Sequence, residues 1–122
     1  MFQRKVYQKL KVWKENYASK QACLLEGARQ VGKTTIAEHF AQNEYTSYIK
    51  IDFANTTEEI LDIITNTAKL DLLFLRLQTE TGIKLIKGKS AIIFDQIQCY
   101  PEARNIAKYL VKDGRYHYIE TA

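Results

Sequence analysis

The chain has 122 residues, the size of one domain, with 46% hydrophobic and 26% charged residues, one Pro and five Gly. That composition excludes a collagenous, Pro-rich or intrinsically disordered chain, and no apolar run is long enough to make a membrane-spanning helix. The net charge of +4 is local: Arg4, Lys5, Lys9, Lys11 and Lys14 precede the first acidic residue, and without those five the chain carries 13 basic and 14 acidic side chains.

In chain order, residues 2–18 have helical periodicity. Val6, Leu10, Trp13 and Tyr17 share one narrow stripe, with Phe2 beside it and the five cations spread over the remaining circumference. This pattern suits a helix lying on a core better than one gathering cations against DNA or a membrane. No apolar stretch follows the basic residues to make a secretory signal. Ala22-Cys23-Leu24-Leu25, stopped by Gly27, suits a buried parallel strand. Residues 33–42 read as a helix with Ile36, Ala37, Phe40 and Ala41 on one face, and residues 47–53 as a strand. Thr56 is the expected cap of the next helix, with Glu59 at the capping-box position. Residues 68–80 favour a further helix, being long and poor in β-branched side chains.

Ala91-Ile92-Ile93-Phe94, ending at Asp95, is a second buried-strand pattern. Pro101 opens a helix running to about Lys112 with Gly114 as its stop, and residues 116–120 form a last strand. Strands alternate with helices, so the fold class is α/β with a mostly parallel sheet flanked by helices. Residues 1–20 make the basic amphipathic helix and its exit; residues 21–122 make the core. Cys23 and Cys99 form no Cys/His cluster, which points away from a zinc site or disulfide scaffold and towards small core residues in a reducing, cytoplasmic setting.

The decisive motif is Gly27-Ala28-Arg29-Gln30-Val31-Gly32-Lys33-Thr34, a complete G-x-x-x-x-G-K-[ST] phosphate loop between an apolar strand and an amphipathic helix. A chain of this composition would match that pattern by accident roughly 0.002 times. Gly27 and Gly32 allow backbone conformations and approaches that a Cβ would block. The loop N–H groups, with the helix N-terminus at Thr34 and Thr35, suit an anion. Lys33 then faces the β- and γ-phosphates, and the Thr34 hydroxyl can ligate Mg²⁺.

Asp95, at the carboxyl end of its apolar strand, has the form of a Walker B aspartate and is the second expected Mg²⁺ residue. Next to it, where many ATPases carry a Glu that polarises water, stands Gln96. An amide takes no proton, and losing a general base typically costs ~10²–10⁴ in rate. The remaining candidates are weaker. His39 and His117 read as structural, and Arg104 and Arg115 as solvated surface residues rather than arginine fingers.

Three stretches then carry a resemblance: Leu25-Glu26-Gly27 to Thr35, Ile93-Phe94-Asp95-Gln96-Ile97-Gln98, and Pro101 to Glu120 with its Asp113-Gly114-Arg115-Tyr116. They resemble the P-loop AAA-type ATPases of bacteria and archaea in which a second, endonuclease-like domain usually follows, and the likeness spans essentially the whole chain. The resemblance implies ATP and Mg²⁺ as ligands, with Gly27, Gly32, Lys33 and Thr34 on phosphate and metal, Asp95 as the Walker B carboxylate, and Gln96 in place of the usual Glu. It implies the sheet order 5-1-4-3-2, of which the four strands found here are 1 to 4. The last core strand, the helical lid and the completion of the polar sensor begun at Thr121-Ala122 are then expected to be missing. The phosphate-loop strand would be an apolar edge, open to self-association.

The leading expectation is therefore an ATP- and Mg²⁺-binding domain with impaired hydrolysis. The alternatives are a non-catalytic, nucleotide-regulated module binding DNA or a protein partner and, less well supported for want of an Arg-rich lid, a small-molecule kinase. A GTPase is disfavoured because no Asn-Lys-x-Asp motif occurs.

Overall fold

A computed structural model describes residues 2–27 and 32–122. Five helices, α1 (Phe2–Asn16), α2 (Lys33–Glu44), α3 (Glu58–Asn66), α4 (Leu70–Thr81) and α5 (Glu102–Asp113), accompany four strands. These are β1 (Cys23–Leu25), β2 (Ser47–Asp52), β3 (Ser90–Asp95) and β4 (His117–Thr121). All pairings are parallel and the order is β1-β4-β3-β2, with β1 at an edge among the described residues. This is the α/β arrangement and strand order that the resemblance implies.

Because neighbouring side chains on a strand face opposite ways, β3 divides its apolar residues between two layers. Ile92 and Phe94 join Ile49, Ile51 and Tyr118 beneath α3, α4 and α5, whereas Ile93 and Ile119 join Leu10, Trp13, Ala37 and Phe40 beneath α1 and α2. All six residues of β3 are buried, which explains why its sequence shows a continuous apolar run instead of alternation. The chain leaves β1 for one layer through α2 and leaves β3 for the other through α5. The two connections part at the carboxyl end of the sheet, and the crevice so formed is where open α/β sheets take ligands.

Three local expectations are corrected. The cap of α3 is Thr57, not Thr56: its side chain accepts from the Ile60 N–H at 3.3 Å. The helix buries Ile63 and Ile64, and with Thr57 as cap it is Ile60, not Glu59, that stands at the capping-box position, so no reciprocal bond forms. The stripe of α1 ends at Trp13, since the helix stops at Asn16 and Tyr17 is half exposed. Cys99 is exposed on a 3₁₀ turn, Ile97–Cys99, that the sequence pattern did not announce; Cys23 is partly buried, with its thiol pushed up to about 11 by burial.

Both histidines have structural surroundings. His39 lies within hydrogen-bond reach of Asn43 and meets Tyr7 edge-on. His117 sits 2.7 Å from the Tyr45 hydroxyl and edge-on to Trp13, and burial, with Lys14 second, holds its pKa below the usual histidine value. The folded state therefore resists protonating it. The stability it contributes is complete above the unfolded value near 6.5 and is lost as pH falls through the folded one. Buried Glu120 titrates in the opposite sense, its carboxyl raised by desolvation, so a comparison isolates the histidine. Denaturation midpoints of wild type and His117→Gln should show the wild type losing more stability between pH 7.5 and 5.5; parallel losses would refute this role.

Candidate functional site

At the carboxyl end of the sheet, a cavity of about 700 Å³ collects residues from four segments. Gly27, Gly32, Lys33, Thr34 and Thr35 come from the loop and the first turn of α2. Asp95, Gln96, Gln98 and Cys99 come from the end of β3 and the turn after it. Asp52 ends β2 and Ala54 follows it, and Ala122 follows β4. Ala28, Arg29, Gln30 and Val31 lie outside the described residues. Two other cavities are of similar size, one between α3 and α4 and one beside α1 and β1, but neither joins a helix N-terminus to a buried lysine and an aspartate.

Two glycines shape the loop ends. Gly27 has φ +138° and Gly32 φ +68°, and a Cβ at Gly27 would touch no described atom, so backbone conformation is what demands glycine there. Gly32 also caps α2 in the left-handed conformation, leaving the first N–H groups of that helix without a side-chain cap and open to an anion. The Lys33 side chain is folded inwards, almost buried, with its ammonium donating to the Gly27 carbonyl at 2.7 Å and to the Ala122 carbonyl. Both acceptors are main-chain oxygens, so no acidic side chain pairs with the ammonium among the described residues.

Asp95 is the centre of the polar network. It is 3% exposed, and its Oδ1 accepts two hydroxyl hydrogen bonds, from Thr34 at 2.6 Å and from Thr121 at 2.7 Å. Thr121 in turn accepts from the Gln96 N–H at 2.9 Å, tying β4 to the end of β3. Gln96 has φ +57° and ψ +47°, alone among the described non-glycine residues in having positive φ. That conformation is costly for a side chain bearing Cβ and γ atoms, and here the turn on one side and Thr121 on the other hold it. The Gln96 side-chain carbonyl accepts from the Gln98 amide at 2.8 Å.

Of the residues singled out in the sequence, the cavity therefore brings together Gly27, Gly32, Lys33, Thr34, Thr35, Asp95 and Gln96. It does not gather the arginines: Arg104 pairs with Glu120 at 3.7 Å, and Arg115 pairs with Asp113 at 3.3 Å and with Asp71. Sequence reasoning missed Asp52 and the contact of Thr121 with Asp95. Asp52 had a readable signal, since Ile49 to Asp52 ends an apolar-rich strand on a carboxylate just as Ile92 to Asp95 does. Thr121 had none, because its partner is 26 residues away and is met only through β3–β4 pairing.

A family model described as an AAA domain matches residues 19–122 of the chain. The chain belongs to the AAA domain family. The match starts after α1, so that helix stands outside the shared region, although the resemblance was expected to include it. Searches of curated proteins and of solved structures gave no significant match. Membership establishes a nucleotide-binding AAA-type domain of the P-loop class, and the α/β sheet of the AAA domain agrees with it. No described helix is long and apolar enough to cross a membrane.

Proposed function

We propose that residues 21–122 bind ATP together with Mg²⁺ in the cavity at the sheet's carboxyl end, with residues 1–20 an added basic helix, and that hydrolysis by this chain is slow. The observation that carries the proposal is the convergence of the Thr34 and Thr121 hydroxyls on Oδ1 of Asp95, beside the inward-folded Lys33. These are hard oxygen donors around one carboxylate, a set that suits Mg²⁺, which takes few protein ligands and draws the rest from phosphates and water. Thr34 and Asp95 would hold the ion, which when bound neutralises charge on the β- and γ-phosphates. Gly27 to Thr35 would receive the phosphates on backbone N–H groups and on Lys33. Gln96 supports slow turnover: its amide accepts no proton, and its carbonyl is occupied by Gln98. The adenine preference rests on the family. The two cysteines, free among the described residues, favour a reducing cytoplasmic setting.

Titration with ATP, ADP and GTP, each with and without Mg²⁺, followed by phosphate release, tests the reading. Asp95→Asn provides the sharper prediction. Asn keeps an oxygen for both threonine hydroxyls but removes the charge, so melting should move by only a few degrees. The gain in ATP affinity on adding Mg²⁺ should fall ~10–100-fold, the worth of about 1.4–2.8 kcal/mol. An undiminished Mg²⁺ effect would count against Asp95 as the metal residue.

A second reading, nucleotide-regulated binding of DNA or a protein partner, is favoured by Arg4, Lys5 and Lys9 lining one surface groove with Val12 and Trp13. Salt-dependent DNA binding lost on replacing Lys5, Lys9 and Lys11 would support it. Self-association through the edge of β1 is part of the same proposal, and sedimentation that does not change with concentration would remove it.

A further inference from the structure

The cavity contains a carboxylate that the sequence motifs do not use. Asp52 ends β2 directly in register with Asp95, the two strands running parallel. Register partners on neighbouring strands project to the same side and their backbones lie ~4.8 Å apart, so both carboxylates emerge at one end of the sheet and both line the cavity. Among the described residues of its wall, these are the two carboxylate side chains.

Their environments differ. Asp95 is buried, with Oδ1 already receiving two hydroxyls. Asp52 is partly exposed, forms no ion pair among the described residues, and uses one oxygen to accept the Ala54 N–H at 3.0 Å. That bond fixes the rotamer and leaves the second oxygen for solvent in the cavity. Gln96, the residue placed by the motif to polarise water, has an amide of negligible basicity engaged by Gln98.

We infer that Asp52 is the water-activating carboxylate of this site, supplying from the neighbouring strand the proton acceptor that position 96 lacks and through which the slow turnover proceeds. The inference rests on the reading of the cavity as an ATP site. In the step it serves, the water oxygen bonds to the γ-phosphorus while the bond from that phosphorus to the β,γ-bridging oxygen breaks. The electron pair of the broken bond leaves with ADP, and the proton released by water passes to Asp52 and from there to solvent. Two carboxylates with different environments thus divide the work: the buried one for the metal, the wetter one for the proton.

The test uses the intact chain and two variants, Asp52→Asn and Asp52→Ser, both of which keep an oxygen for the Ala54 N–H. Calorimetry gives the Kd for ATP with Mg²⁺, and chromatography of bound nucleotide follows a single turnover. Both variants should bind within ~2-fold of wild type while conversion to ADP slows ~10²-fold or more. Conversion at the wild-type rate overturns the inference, as does a parallel loss of affinity in both variants, which would make Asp52 a binding or structural residue. Wild-type chain that binds ATP without converting any also overturns it and leaves the binding proposal intact. Wild-type chain that binds no ATP overturns the binding proposal itself.

Discussion

Replacing Lys33 by Ala should abolish measurable nucleotide binding, raising the Kd for ATP with Mg²⁺ at least ~100-fold. The ammonium is almost buried and held by two main-chain oxygens, those of Gly27 and Ala122, with no acidic side chain paired to it among the described residues. A phosphate oxygen offers a better partner than a carbonyl, since a charge-assisted hydrogen bond is worth about 1.5–3 kcal/mol against about 1 for an ordinary one. The cavity wall screens the interaction less than open water would, which adds to that figure. A loss of about 3 kcal/mol is roughly a 100-fold change in Kd. The fold should tolerate the change, because the two carbonyls it uncovers lie at the cavity and can be hydrated. Calorimetry with ATP, beside a melting curve, checks both halves. Unchanged affinity would sink the phosphate-site assignment, and collapse of the fold would mean that Lys33 is a structural residue first.

Trp13→Ala should be the most damaging single change to stability, at about 3–5 kcal/mol. Trp13 is 4% exposed and lies in the layer beneath α1 and α2, among Leu10, Phe40 and Ile119. Its indole N–H donates to the Gln21 carbonyl at 2.9 Å, anchoring the turn that leads from α1 into β1. Removing the ring takes away buried apolar area and opens a hole in the layer that packs α1 onto the sheet. Trp13→Phe should cost less, because the ring volume is largely kept and the exposed Gln21 can be satisfied by water. Urea denaturation followed by far-UV circular dichroism measures both, the tryptophan signal being lost in each variant. A loss below about 1 kcal/mol for the alanine variant would mean that α1 is an appendage. A large loss would tie this helix, which stands outside the family match, to the stability of the nucleotide-binding core.

Much of the fold could be read directly from residue patterns, for reasons that are local. Ile92-Ile93-Phe94 announced a buried parallel strand because it is covered on both faces, whereas Cys23-Leu24-Leu25, read the same way, is only partly buried at the edge of the sheet. Pro101 and Gly114 bracketed α5 because each has a backbone requirement that its neighbours do not share. Errors arose where two adjacent residues could do the same job: Thr56 and Thr57 are equivalent caps in sequence, and the folded chain uses the second. Cys99 was misread because burial depends on what packs over a turn, and a three-residue 3₁₀ turn leaves no periodic trace.

The site divides in the same way. The half proposed to bind phosphate is contiguous in sequence, from Gly27 to Thr35, so spacing alone specifies residue types for an anion, a cation and a hydroxyl. Asp95 was legible because a carboxylate ending an apolar strand has few structural uses. By itself, then, the sequence determined an α/β chain with a phosphate loop, a Walker B-like aspartate and a glutamine where a base is usual. Only the tertiary structure decided that Thr121 donates to Asp95, that Gln96 is held left-handed by that threonine, and that Asp52 stands in register beside Asp95. Those relations are made by hydrogen bonding between strands far apart in the chain, and pairing register is a property of the assembled sheet, invisible in any window of the sequence.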